Sequence, residues 1–532
     1  MATFTYPGVY IEEIPSGVHT ITGVATSIAT FVGWANMGPT NRAVLVQSWN
    51  DFENQFGGLS SRSGVPNYLG YAVNQFFGNG GNQAYIVRLV ANAAVVAAFP
   101  ADTLAVAASV PIAGGGGTSF TATAVDEGQW ANTVYGIRIV NNPSIANRFS
   151  LQVVYTPSGG QERTLETFPN LSNNPSDPLG RSVTSVVNDP NTGSQIIQIS
   201  GVTANQPTQN PLTVPPGTGP YQLGVGAGSV SGVDGTVLVP DAGDFETALD
   251  VSGSTGVHLL DTVPIFNLLC VPGETTSSVA SALQTYCRGQ RAFYIADCPQ
   301  SARVSSFPGL LSGITGDDSI NSAYYFPWIN APDPLQQNRI NSFPPCGFVA
   351  GQYAATDASR GVWKAPAGID ASLSGESGPT VLLTDLQNGT LNVQAINCIR
   401  NFPVYGDVIW GSRTLRGNDQ VGSEWKYVPI RRLALFLESS LYNGTQWVVF
   451  EPNDERLWSQ IRLNVGAFMQ GLFLQGAFQG TAPQQAYFVK CDGENNPQSS
   501  IDQGIVNILV GFAPLYPAEF VVIQIQQMAG QV

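Results

Sequence analysis

The sequence is short of charge. Asp, Glu, Lys and Arg together make up 11% of its 532 residues, where roughly 25% is usual for soluble domains. Lysine is the scarcest cation, at Lys364, Lys426 and Lys490 only, and the formal net charge is -15. Nucleic acid and anionic membranes are bound by clustered cations that neutralise phosphate, so neither is expected as a partner. Two explanations of the missing charge stay open. Ser, Thr, Asn and Gln could solvate a β-rich surface, or much of the surface could be buried against other proteins.

Catalytic and metal chemistry are equally thin. His19 and His258 are the two histidines; they form no local ligand pair, and neither a zinc site nor a Ser-His-Asp arrangement is expected. There is no G-x-S-x-G, Walker loop or dinucleotide fingerprint, and the glycine runs Gly78 to Gly81 and Gly114 to Gly117 lack the Lys-Ser/Thr and helix context that would make them phosphate cradles. They read as turns. The adjacent acids Asp317-Asp318 and Asp454-Glu455 read as loop and helix-start residues, because a catalytic carboxyl pair is defined by its spacing in the fold. The six cysteines, Cys270, Cys287, Cys298, Cys346, Cys398 and Cys491, contain no C-x-x-C pair and read as small apolar residues in a reducing compartment. The first residues lack a basic region followed by an apolar run, and no apolar stretch reaches membrane-spanning length, so folding in the cytoplasm and no membrane insertion are expected. The sequons at Asn388 and Asn443 therefore read as turns. No cofactor and no enzymatic activity are predicted.

What is present is apolar material, 43% of residues, in a chain too long for one core, so two to four domains are expected. Strand and helix signals alternate in the first 90 residues. A β-rich run passes through Phe31 to Trp34, an amphipathic helix covers Tyr68 to Phe77 and stops at Gly78 to Gly81, and a strand covers Ala84 to Leu89. Residues 91–240 differ, with twelve charged residues, no lysine and many Gly, Ser, Thr, Val and Pro. Short apolar runs there, Tyr135 to Val140, Ser150 to Tyr155 and Gln195 to Ile199, lie between turn clusters, the pattern of a β-sandwich or small barrel, with Pro211 to Gly219 as a loop or linker. Beyond residue 245 the alternation returns: Leu259-Leu260 and Pro264 to Val271 read as core strands and Val279 to Gly289 as a helix. The fold class expected is α/β (α+β), a core domain built from N- and C-terminal parts with an inserted all-β domain.

The best-defined single element is a long helix from Asp454 to Gly476, which Asn453 can cap. Leu457, Trp458, Ile461, Val465, Phe468, Met469, Leu472 and Phe473 share its apolar side. On the other side Arg456, Ser459, Gln460, Asn464 and Gln470 line up with Leu463, Ala467 and Leu474 among them. Such a strip fits a second contact within the chain or a contact with another protein. Both ends of the chain read as strands, Val9-Tyr10-Ile11-Glu12-Glu13-Ile14 and Phe520-Val521-Val522-Ile523-Gln524-Ile525. Each could complete its own sheet, or pair with a neighbouring subunit.

Several ordered blocks carry a resemblance. The opening Tyr6-Pro7-Gly8-Val9-Tyr10-Ile11-Glu12-Glu13 closely resembles the start of contractile tail sheath proteins of phages, phage-like bacteriocins and extracellular contractile injection systems. Agreeing blocks follow at Pro344-Pro345-Cys346-Gly347, Arg360-Gly361-Val362-Trp363-Lys364-Ala365-Pro366, Trp425-Lys426-Tyr427-Val428-Pro429, Phe450-Glu451-Pro452-Asn453-Asp454, Tyr487-Phe488-Val489-Lys490-Cys491-Asp492 and Pro517-Ala518-Glu519-Phe520-Val521-Val522. The resemblance covers roughly residues 1–90 and 320–532. It implies a donated strand and linker over 1–20, a sheath core over 21–90 plus 320–510, and a second linker and donated strand over 511–532; the β-rich residues 91–240, read from composition, would by analogy be an outer domain, and 241–319 reads from its alternating helix and strand signals as a middle α/β segment. It further implies a homo-oligomeric helical sheath assembled in the bacterial cytoplasm around an inner tube protein, with baseplate and terminator or cap proteins as partners, and then part of a phage tail or tail-like particle. On this resemblance Arg456, Gln460 and Leu463 are expected to face the tube. The alternative from another class is a soluble β-rich module that binds carbohydrate or protein.

Overall fold

The computed structural model describes residues 19–142, 144–157, 160–209 and 220–524. They form two compact units, one of residues 27–358 and 366–426, the other of residues 19–26, 359–365 and 427–524. The Pro211 to Gly219 linker lies outside the described residues.

The first unit is built on an eight-stranded sheet. Its strand order is Gly406–Trp410, Ile396–Phe402, Ser322–Phe326, Phe293–Asp297, Leu268–Cys270, Ala29–Trp34, Ala84–Leu89 and Val44–Val46. The six inner strands are parallel and the two edge strands antiparallel. Every residue of Ala29–Trp34, Leu268–Cys270, Phe293–Asp297 and Ser322–Phe326 is buried, which explains why their sequences run apolar without alternation: a parallel sheet is covered on both faces. One cover includes the helix Ser277–Gln290, which places Val279, Leu283 and Cys287 in a cluster with Val32, Leu269 and Tyr294. The helix Tyr68–Gly78 begins at Asn67, whose side chain accepts from Gly70 N. The strand Ala84–Leu89 occupies the bounds expected for it.

The carboxyl ends of the parallel strands are where open α/β sheets hold ligands, at the point where strand order reverses. Here that point lies between Ala29–Trp34 and Leu268–Cys270, and the protein fills its surroundings with its own groups. The buried Arg88 guanidinium donates to Ala35 O at 3.0 Å, Gly38 O at 2.7 Å and Glu127 O at 2.9 Å. The Asp297 carboxylate accepts from Gly273 N at 3.1 Å and Cys346 N at 2.9 Å, and burial pushes its carboxyl up to about 7.

Between Ser109 and Gln222 the chain forms two antiparallel sheets, one of Arg163–Leu171, Phe149–Tyr155, Tyr135–Asn141 and Tyr221–Gln222, the other of Ile197–Ser200, Gly117–Ala124 and Ser109–Gly114. They share an apolar cluster that includes Phe120, Ile137, Phe149, Leu151 and Ile197. The glycine run at 114–117 is the turn between two of these strands.

Three local expectations are corrected. Leu259 and Leu260 lie in a 3-10 helix, Gly256–Thr262, and the strand next to it is limited to Leu268–Cys270. Asn388 lies in the helix Asp385–Asn392 and Asn443 in the helix Val428–Gly444, so neither sequon is a turn. In all three, a short run without a period of its own carried no local signal that fixes helix, strand or turn.

The second unit is helical with one small sheet. Helices Val428–Gly444 and Glu455–Leu474 pack Leu433, Leu437, Leu457, Ile461, Val465 and Met469 into one core. Residues 19–26 lie on the first of these helices. Ile21 is buried, Val24 N donates to Ser440 Oγ at 3.1 Å, and Arg432 donates to Thr26 O at 2.9 Å. The approach is close: a Cβ at Gly444 would sit 2.6 Å from Ile21 Cγ2, and one at Gly23 would sit 2.8 Å from the Phe436 ring, so a side chain at either place would have to displace its neighbour.

Candidate inter-subunit site

The second unit carries three features that end in open chemistry. The first is the antiparallel pair Tyr487–Lys490 and Leu509–Phe512. Among the described residues it is a two-stranded sheet, so each strand keeps one edge of N–H and C=O groups unpaired in the ladder, and a lone two-stranded ribbon is marginal in water. It is braced from elsewhere. Buried Asn496 accepts from Asn507 N at 2.6 Å and donates to Asn507 O at 3.1 Å, and Arg462 donates to Cys491 O.

The second is the segment that follows. Ala513 N donates to Ala486 O at 2.8 Å and Pro514 bridges Phe478. The Tyr427 hydroxyl then donates to the Glu519 carboxylate at 2.9 Å. Past that anchor, Phe520, Val521, Val522 and Ile523 are 74%, 81%, 81% and 80% exposed, and residues 517–524 form no ladder among the described residues. Four consecutive apolar side chains in water carry a cost that burial would remove, at about 25 cal/mol per Å². Ile525 and the N-terminal strand Val9 to Ile14 lie outside the described residues.

The third is the long helix, Glu455–Leu474. Asp454 rather than Asn453 is its cap, accepting from Arg456 N and Leu457 N at 3.0 Å each, while Asn453 accepts from the Trp458 indole at 2.8 Å. The expected apolar side is buried or half-buried throughout. On the other side Arg456 and Ser459 are exposed, Leu463 is 61% and Leu474 76% exposed, and Gln460 is half-buried. Asn464 departs from the expected strip: it is buried, with neither side-chain polar atom hydrogen-bonded among the described residues. The neighbouring Arg462 is tied to Glu455 at 2.5 Å. The Arg456 guanidinium has no ion pair or hydrogen bond among the described residues. Sequence reasoning missed Tyr427, Glu519 and Arg462, and no local pattern signals them, since each bonds a group far along the chain.

The acid pairs have structural partners. Asp317 pairs with Arg416 at 2.9 Å and Asp318 with Arg288 at 2.5 Å. His19 stacks on Trp447 with ring centroids 4.2 Å apart, and His258 contacts Asp261 at 3.1 Å. All six cysteines are buried thiols. Among the described residues no group of three or more His, Cys, Asp and Glu is arranged to hold a metal ion, and no helix is long and apolar enough to cross a membrane.

Comparison with known proteins gives these features a context. Residues 263–415 match the phage tail sheath protein central domain and residues 420–528 the phage tail sheath C-terminal domain. The chain is 24% identical over 314 residues to the tail sheath protein of Vibrio phage KVP40, which covers 54% of this chain and 43% of that protein. It is 27% identical over 279 residues to a prophage major tail sheath protein of Pseudomonas aeruginosa, covering 50% of this chain and 67% of that one. The chain thus spans less than half the length of the Vibrio phage relative. Its fold is similar over 99% of both chains to the sheath of an extracellular contractile injection system in the contracted state, with TM-score 0.57 and 22% identity, and over 99% of this chain and 100% of the other to the contracted helical sheath of the anti-feeding prophage, with TM-score 0.56 and 23% identity. Two consecutive sheath domain matches, sheath proteins among the sequence relatives and a sheath fold along the whole chain lead to one conclusion: the chain belongs to the contractile tail sheath protein family.

Proposed function

We propose that this chain is the structural sheath subunit of a contractile injection machine. It polymerises helically around an inner tube and contracts to drive that tube through a target envelope, working by a change of packing between copies. The observation that carries this reading is the exposed apolar run Phe520 to Ile523 in a unit whose sheet has two edges unpaired among the described residues. A strand offered by one copy and an edge offered by another complete each other by main-chain hydrogen bonds, while alternate side chains set the register. A contact between unlike patches does not close on itself and so builds a helical polymer.

In this reading Val9 to Ile14 and Phe520 to Ile525 are the exchanged strands. Residues 91–240 form an inserted β domain facing outward, and Arg456, Gln460 and Leu463 face the tube. Partners are further copies of the chain, the inner tube protein, and baseplate and cap proteins; assembly takes place in the bacterial cytoplasm. Contraction without a nucleotide requires an extended state held above the contracted one by a barrier. Co-expression with the tube protein followed by electron microscopy tests the proposal. Tubes with a helical outer layer of this chain are expected, and monodisperse monomers under the same conditions would overturn it.

A further inference from the structure

A hairpin in the first unit presents an exposed tip whose shape the contacts among the described residues leave without a role. Its strands are Ile329–Asp333 and Arg339–Phe343, paired antiparallel from Ile329 opposite Phe343 to Asp333 opposite Arg339. The base is fixed in the core by Ile329 and Phe343, both buried, with Phe343 stacked on Tyr71 at 4.3 Å. Residues 334–340 are exposed without interruption.

The tip is held in one shape from beneath. Asp333, 1% exposed, accepts from the Tyr71 hydroxyl at 2.5 Å, from Asn341 Nδ2 at 2.8 Å and from Leu335 N at 2.9 Å. Pro334 opens a 3-10 turn that ends in Gln337 and Asn338 with φ of 57° and 60°. A glutamine in the left-handed region is uncommon and costs conformational energy. One buried and two partly buried bonds therefore maintain an unfavourable loop shape whose outward side chains make no hydrogen bond or ion pair among the described residues. Those groups are Leu335 and Ile340, 48% and 52% exposed, and the Arg339 guanidinium, which has no ion pair or hydrogen bond among the described residues. A preorganised apolar pair beside an unpaired cation is the composition of a contact point, since its ordering cost is already met on folding.

The charge of the chain says which partner fits. Acids outnumber Lys and Arg 37 to 22, and exposed Glu53, Glu424 and Glu451 have no side-chain partner among the described residues. We propose that the Pro334 to Ile340 tip docks on an acidic surface of a neighbouring copy of this chain, where Arg339 pairs with a carboxylate and Leu335 and Ile340 bury beside it. This rests on the sheath reading of function and adds a second copy-to-copy contact, separate from the chain ends.

A photo-reactive amino acid placed at Leu335 of the full chain, irradiated in assembled particles, tests it. The expected product is a covalent dimer of this chain whose cross-linked peptide carries an exposed carboxylate. Cross-linking to a different protein, or intact sheaths with no cross-link, would overturn the docking proposal alone; a wild-type chain that forms no sheath would overturn the sheath reading with it. In parallel, R339E should raise the protein concentration needed for sheath assembly by about tenfold or more, with the melting temperature of the subunit unchanged. Unaltered assembly of R339E would also count against the proposal.

Discussion

Glu376 sits on a strap that closes two sheet edges at once. Gly368 N donates to Ile409 O at 2.9 Å and Leu373 N to Asp407 O at 2.8 Å, covering the edge strand Gly406–Trp410; Ser377 N donates to Asn330 O at 2.7 Å and Thr380 N to Trp328 O at 2.8 Å, covering the hairpin. The Glu376 side chain hydrogen-bonds the buried Asp407 carboxyl and accepts from Gly378 N at 2.5 Å, and Asp407 accepts from Asn401 Nδ2 at 2.9 Å. Burial first and the neighbouring acid second push Glu376 up to about 7. Its proton is thus bound more tightly in the folded chain than in the unfolded one. The stabilisation it gives is complete below the ordinary glutamate range and is lost as pH rises from about 4.5 to about 7. Glu376 is half-buried, so solvent screening reduces the effect to about 1 kcal/mol. E376Q keeps a donor without the charge. Thermal melts at pH 5 and pH 8 should differ less for E376Q than for the wild type, with the variant the more stable at pH 8. Equal pH dependence in the two proteins would remove the shared proton from the account.

At the scale of elements, the long helix separates two roles that the sequence had joined. Its inner side holds the second unit together, and its cap is structural: D454A should cost about 1 kcal/mol in chemical denaturation. On its outer side Arg456, Leu463 and Leu474 are exposed. If Arg456 and Leu463 face the tube, R456E combined with L463E leaves the melting temperature and self-assembly of the sheath intact but removes the tube protein from purified particles. Full retention of the tube would place the strip against something else. Much of this helix was legible because a 3.6-residue period repeated over five turns leaves little ambiguity, and the strand Ala84–Leu89 was legible because glycines before it and apolar residues within it agree. What was lost depended on single side chains. Asn453 and Asp454 are equivalent caps in sequence, and only the extended φ of -143° at Asp454 decides between them. Asn464 fits the polar strip by angle yet is turned inward. Leu259 and Leu260 looked like strand because two adjacent leucines carry no period. The terminal apolar run Phe520 to Ile523 could be read directly, whereas the ribbon beside it and the Tyr427–Glu519 bond join residues far apart in the chain, which local patterns do not encode.

For the whole molecule, the chain ends should be dispensable for folding and indispensable for linkage. Residues 19–26 already attach the start of the described chain to its unit, through buried Ile21, the Ser440 and Arg432 bonds, and the His19–Trp447 stack. Each of these contacts is made by a residue between 19 and 26. Deleting residues 1–16 should therefore leave circular dichroism and melting temperature as in the full chain. In a sheath, however, copies must stay joined while they rotate from the extended to the contracted packing, and a surface contact that breaks during rotation cannot do this alone. About 1,000 Å² of additional apolar burial per copy would supply roughly 25 kcal/mol gross to the contracted form, and the net is far smaller once ordering costs are subtracted. That energy moves the tube only if each copy pulls on the next. A strand added to another copy's sheet is a linkage that survives rotation, because its main-chain bonds turn with the sheet that receives it. The truncated chain is expected to form folded subunits that give no continuous sheath in electron micrographs, or sheaths that break rather than shorten when contraction is triggered. Normal assembly followed by normal contraction of the truncation would show that the N-terminal strand is not the link.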